Sequence, residues 1–227
     1  MVPRRVVLVD LTDQGFAARV SPTASTRRRH RAAAVALAVL TSVVGAMSPA
    51  FAAGRTPAGA LRAATTQMQQ SPGYRFSAGI TTAGTSVKIA GEFQAPDRVH
   101  EVVQIGTATP SELVMIGTQV YAKDASGTWR STTAAASGAS DVRATFAALQ
   151  TADHVQHHGH TLTFHLPPTA AQHLAGASTT GGLTGSATLA ATGISQLRYR
   201  ARTGGHEIAV NIDYTITNPA PTVSAPT

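Results

Sequence analysis

Ile208-Ala209-Val210-Asn211-Ile212-Asp213-Tyr214-Thr215-Ile216 decides how the rest of the chain is read. Ile208, Val210, Ile212, Tyr214 and Ile216 recur at every second position, while Asn211, Asp213 and Thr215 fall between them. A period of two sends the first set to one side of a strand and the second set to the other, so this stretch predicts a strand with one apolar and one solvated face. Gly204-Gly205 just before it supplies hairpin-turn chemistry, and Ile194 to Thr203 predicts the antiparallel partner. Upstream again, Leu183, Ala187 and Leu189 alternate with Thr184, Ser186 and Thr188.

The same rhythm fills the first half of the chain. Tyr74, Phe76, Ala78 and Ile80 alternate with Arg75, Ser77, Gly79 and Thr81, and Val87, Ile89, Gly91 and Phe93 alternate with Lys88, Ala90 and Glu92. Thr82-Ala83-Gly84-Thr85 joins the two runs as a hairpin. Pro96-Asp97 marks the next turn, Val99 to Ile105 predicts a third strand, and Leu113 to Ile116 with Gln119 to Lys123 predicts two more, joined at Gly117-Thr118. Ser126-Gly127 turns the chain toward Trp129, and Thr132 to Ser140 reads as a linker of small residues. Two further strands are expected around His154 to His157 and Thr161 to Leu166. Helices are predicted over Thr56 to Gln70, with Pro57 in the first turn, and from a Ser140 or Asp141 cap to about Thr151, with Val142, Phe146 and Leu149 on its apolar face. Thr169 with Gln172 forms a capping-box pattern opening a short helix closed by Gly176. The fold class this predicts is α+β: a large curved antiparallel sheet, a half-open β-barrel, with two or three helices packed on its concave side.

Length and composition bound what such a fold can be. The chain has 227 residues and no Cys, which rules out disulfides, thiolate metal sites and a Cys nucleophile. The net charge of +7 is unevenly spread: residues 1–52 hold seven Arg against Asp10 and Asp13, a net +5, and residues 53–227 carry only a net +2. A nearly balanced body gives no electrostatic footprint for nucleic acid. Arg27-Arg28-Arg29-His30-Arg31, the apolar run Ala32 to Val44 and the small residues Ala50-Phe51-Ala52 together read as a signal peptide cleaved after Ala52. The apolar run is too short to span a bilayer, which takes about 20 apolar residues. The organisation expected is a leader and signal peptide over 1–52, one domain over 53–217, and an extended Pro-rich C-terminal tail over 218–227, in an exported protein that does not span the membrane after cleavage.

Some eight to ten strands carry more apolar face than short helices can hide. The sheet must curl on itself or leave a lined cavity. Such a cavity suits a lipid or another amphiphile, and its wall is expected at Phe76, Ile80, Val87, Ile89, Phe93, Leu113, Met115, Leu189, Val210 and Ile212. The alternative is an ordinary filled core with no ligand, in a cell-envelope module that meets another exported protein through an edge strand or the Pro-rich tail.

Gly91-Glu92-Phe93-Gln94-Ala95-Pro96-Asp97-Arg98 follows the first hairpin; after it come Val114-Met115-Ile116-Gly117, Val120-Tyr121-Ala122-Lys123 and Trp129, and late in the chain a strand ending near Asp213-Tyr214. In that order these segments, over about residues 57–216, are similar to the LppX/LprG-type actinobacterial lipoproteins and the wider LolA-like lipoprotein-carrier fold. The resemblance implies a half-open antiparallel barrel that holds acyl chains on its concave side, partly plugged by helices. Many members carry a lipidated Cys at the cleavage site; this chain has Ala52-Ala53 there. This departure from the family pattern excludes anchoring of the family kind and points to a free carrier without a lipid anchor, expected to be a monomer.

Reactive chemistry is weakly represented. His154, His157, His158, His160 and His165 cluster, and His157 could approach His165 across a hairpin turning at His158-Gly159, but the spacing matches no metal motif. No G-x-S-x-G, carboxylate pair or phosphate-cradling Gly loop is present. No catalytic residue, metal or cofactor is assigned, and no enzyme activity is expected. Arg198, Arg200 and Arg202 share one strand face, either holding an anionic headgroup or guarding an edge strand with charge. Trp129 is expected to line a pocket mouth or to cap the core.

Overall fold

The computed structural model describes residues 56–124, 126–133, 142–175, 181–203 and 205–227. The expected leader and cleavage site, most of the small-residue linker, the Ser140 or Asp141 cap and Gly176 lie outside the described residues.

Helix α1 (Pro57–Gln70) starts where its sequence provides a cap: the Thr56 hydroxyl accepts the Gly59 N–H at 3.2 Å, and Pro57 occupies a first-turn position that needs no donor. Strands β1 (Gly73–Thr82) and β2 (Thr85–Gln94) form the first hairpin. Its turn residues Ala83 and Gly84 have φ of 44° and 82°, the left-handed pair that matches the twist of the strands. Then come β3 (Arg98–Ile105), β4 (Ser111–Ile116), β5 (Gln119–Lys123) and β6 (Trp129–Thr133). Helix α2 (Val142–Leu149), β7 (Asp153–His158), β8 (Thr161–Leu166) and α3 (Pro168–Ala175) follow, and β9 (Leu183–Ala190), β10 (Gly193–Thr203) and β11 (His206–Ile216) complete the fold.

All the strands among the described residues belong to one sheet of eleven, in the order β6-β5-β4-β3-β2-β1-β11-β10-β9-β8-β7. Each neighbouring pair is antiparallel. Two meanders, β1–β6 and β7–β11, are joined by the one non-local pairing of β1 with β11, where Phe76 faces Tyr214 and Ile80 faces Val210. The sheet is not closed: β6 and β7 are its edges.

The helices cover one face. α1 packs on β7 and β10, α2 lies against both α1 and α3, and α3 reaches β10. Leu61 and Met68 of α1, Phe146 and Leu149 of α2 and Ala171 of α3 are sealed against Leu162, Leu166, Leu183 and Leu197 of the sheet. At the centre the Tyr74 ring stacks on Phe93 at 4.9 Å and meets Phe146 and Tyr214 edge-on at 6.1 and 5.7 Å, arrangements favoured by the ring quadrupole. Two glycines in the sheet make room for rings. A Cβ on Gly91 would lie 2.5 Å from the Phe76 ring, and one on Gly185 would lie 2.6 Å from the Phe164 ring.

Three local expectations are corrected. Trp129 opens an unforeseen edge strand, β6, and lies on the face away from the helices, where Lys123 Nζ sits 5.4 Å from its ring centre. It therefore neither lines a pocket on the helix side nor caps the core. Helix α3 begins at Pro168 rather than after a Thr169 cap, because the Pro167 carbonyl accepts the N–H groups of Ala170 and Ala171. The β7–β8 turn is Gly159-His160, and the register sets His157 beside Leu162 and His165 beside Asp153, so His157 and His165 do not meet.

The C-terminal segment crosses the other face in extended form. The Val223 N–H donates to Gln94 Oε1 at 2.8 Å, its carbonyl accepts from Arg98 at 2.9 Å, and its side chain is buried.

Candidate functional site

The strand registers put all ten expected wall positions on the helix-facing side of the sheet. Burial divides them. Phe93, Met115 and Val210 are buried members of the core. Phe76, Ile80, Leu189 and Ile212 are half-buried and packed against it. Val87, Ile89 and Leu113 are half-buried without joining the core cluster.

The dividing line follows the rungs of the sheet. One rung runs Tyr74–Phe93–Val99–Met115 across β1 to β4, and every member is buried. Arg143 of α2 closes it, its guanidinium 5.4 Å from the centre of the Phe93 ring. Toward the β1–β2 turn, the rungs Ala78–Ile89–Val103 and Ile80–Val87–Ile105 keep the same apolar character but lose their cover, and Ile105 is 45% exposed. This end forms an apolar strip across β1 to β3, and Leu113 of β4 adjoins it one rung nearer the core.

A carboxyl group interrupts this face between the strip and the buried rung. Glu101 lies between Gly91 and Leu113 on this face, and its carboxyl makes no hydrogen bond or ion pair among the described residues. Burial raises its carboxyl above the ordinary value of 4.5, against a smaller opposing pull from His100. Sequence reading passed it over. The visible signal is that Val99 and Val103 alternate with an acid at the position between them where the apolar face expects another aliphatic residue.

In the covered half, the Tyr199 hydroxyl donates to the Leu174 carbonyl at 3.0 Å and burial pushes its pKa up to about 12. The buried Tyr214 is raised above the ordinary phenol value, first by burial and then by the neighbouring Tyr74 and Tyr199. Both phenols are held neutral and structural.

The arginine row and His165 lie on the opposite face, whereas His157, in register with Leu162, lies on the helix-facing side. β10 is flanked by β9 and β11, so Arg198, Arg200 and Arg202 do not guard an edge. His165 Nδ1 lies 2.7 Å from Asp153 Oδ1 and its ring stands 6.1 Å from that of His154. Among the described residues no three metal-ligating side chains gather, and no helix is long and apolar enough to cross a membrane.

No family model and no curated protein matches the chain. Among solved structures, a redesigned β-barrel, mFAP1, bound to DFHBI, aligns over 65% of this chain and 96% of its own, at 10% identity and a TM-score of 0.20. So low a score carries no weight for fold or function.

Proposed function

We propose that the chain is an exported, non-enzymatic protein that binds a lipid or another amphiphile on the helix-facing side of its sheet. The observation that carries this reading is the uncovered strip: Val87, Ile89, Val103 and Leu113 stay half-exposed and Ile105 stays 45% exposed, on the face that elsewhere forms the core. A contiguous apolar patch on a monomer marks a binding surface. Each methylene that an acyl chain buries there contributes about 0.8 kcal/mol. The sheet is read as a half-open barrel with this face concave and the helices plugging one side of it, as the LppX/LprG-type and LolA-like resemblance implies. The protein then acts as a free monomeric carrier of the envelope or extracellular space, with no lipid anchor. Glu101, between the strip and the buried rung, would meet a hydroxyl or amine of the amphiphile.

The competing reading, an envelope interaction module with a filled core, draws support from the aromatic cluster of Tyr74, Phe93, Phe146 and Tyr214, which leaves the covered half closed. The two readings part at the strip. Organic extraction of gently purified protein, followed by mass spectrometry, is expected to release lipid. Ile89→Asp is expected to lower the lipid recovered at least tenfold while leaving the fold intact. Ligand-free native mass spectra, together with no uptake of an added fluorescent fatty acid, would overturn the proposal.

A further inference from the structure

The face of the sheet turned away from the helices holds a second feature, independent of the apolar strip. We propose that it is an anion site for a phosphorylated polyol. The described residues there form an open groove of about 690 Å³, running from β1 across β11, β10, β9 and β8 to β7. That volume lies within the range of small-molecule sites, about 300–1,000 Å³. Its lining carries the guanidinium groups of Arg198 and Arg200 from β10 and the imidazoles of His165 from β8 and His154 from β7, with no Asp or Glu among the lining residues; Asp153 stands just outside, 2.7 Å from His165 Nδ1. Thr184 and Asn211 add a hydroxyl and an amide beside the arginines.

The arginines are placed to work together. They alternate with buried Leu197, Tyr199 and Ala201, so the strand's packing fixes which way they project. Residues two apart on a strand lie about 7 Å apart, close enough for two guanidinium forks to reach the oxygens of one phosphate. Arg198 is steadied by Nε donating to Asn211 Oδ1 at 3.0 Å, and the rest of its fork has no partner among the described residues. Arg200 has only a loose partner, Glu207 at 3.6 Å, with both side chains well exposed. Exposed pairs of this kind hold weakly, so a doubly charged phosphate displaces the carboxylate.

The lining also narrows the ligand. β8 to β11 and β1 each have neighbours on both sides, so only the β7 edge of the groove could take an added strand, and binding at the arginines must come from side chains. A groove this wide, edged with hydroxyl and amide groups, suits a phosphate carrying several hydroxyls better than a bare ion. Free sugar or glycerol phosphates share that chemistry with the headgroup of phosphatidylglycerol.

The test is calorimetric titration of the full chain with glucose 6-phosphate, glycerol 3-phosphate and unphosphorylated glucose. Co-sedimentation with phosphatidylglycerol and phosphatidylcholine vesicles runs beside it. Phosphate-bearing probes are expected to bind, glucose and phosphatidylcholine are not, and affinity should fall with added salt. Binding of the soluble phosphates alone assigns a free metabolite, and binding of phosphatidylglycerol vesicles alone assigns a headgroup. Arg198→Gln with Arg200→Gln is expected to weaken binding at least tenfold with an unchanged melting curve; if that pair melts early, each single variant is expected to weaken binding at least threefold. Failure of all phosphate probes to bind, retention of full affinity in the variants, or tighter binding of polyglutamate than of either phosphate would overturn the assignment.

Discussion

The two meanders of the sheet use the same alternation and end in different states. In β8, Leu162, Phe164 and Leu166 are all buried beneath the helices. In β2, Val87 and Ile89 hold equivalent positions and stay half-exposed. Their apolar faces are of one kind; what differs is the lid. α1 packs on β7 and β10 and α3 on β10, and α2 reaches the first meander through Arg143 above Phe93. Period-two patterning thus specifies which side of a strand is apolar, while the number and reach of the helices decide whether that side becomes core or surface.

Paired substitutions test this contrast most strongly. Leu162→Ala in the covered meander should cost about 3 kcal/mol, and Leu113→Ala in the open one about 1 kcal/mol or less, because only the first leaves a closed cavity. Urea unfolding measures both, and equal losses would mean that the strip is covered after all. Next come the ring-bearing glycines. Gly185→Ala presses on the Phe164 ring, which is 3% exposed and has nowhere to go, and should cost about 1–3 kcal/mol. Both new Cβ atoms also meet a backbone carbonyl, that of Arg198 at 2.7 Å and that of His100 at 2.8 Å, so the rings set the difference: Gly91→Ala presses on the half-buried Phe76 ring, which can swing toward the strip, and its loss should be the smaller of the two.

A smaller effect is expected at Glu101. Its folded pKa lies above the ordinary 4.5, so the folded state holds its proton more tightly than the unfolded chain does. The associated stability is fully present below pH 4.5 and is lost as pH rises through the raised value. Glu101→Gln should therefore flatten the decline of stability above pH 4.5 and leave the variant the more stable protein at pH 8, by about 1 kcal/mol or less. An unchanged pH profile would place the carboxylate in water. The least effect is expected at Trp129 on the opposite face, where Trp129→Ala should change stability by about 0.5 kcal/mol or less and leave fatty-acid uptake unaltered.

Much of the fold is legible in the sequence because alternation and turn residues are local. Ala83-Gly84, Gly117-Thr118 and the caps around Thr56 mark their elements without outside help. β6 escaped notice because Arg130-Ser131-Thr132-Thr133 has no apolar face to alternate, as an edge strand with both faces exposed needs none. The β1–β11 pairing escaped it because the two strands are brought together by the whole fold rather than by a turn. The wall residues were legible as a face, yet their split into core and strip was not, since that depends on where the helices dock. The arginine row was legible as a row; its central position, which sets aside the edge-guard explanation, follows only from the strand order.

The chain has no Cys, so a single introduced thiol can be labelled uniquely. The most direct measurement places a polarity-sensitive fluorophore at Ile89→Cys, with Ser77→Cys on the opposite face as its counterpart, and titrates each with oleate. A blue shift at position 89, saturating with one equivalent, and none at position 77 is the predicted result. No shift at position 89, or equal shifts at both, would contradict an amphiphile site on the uncovered strip.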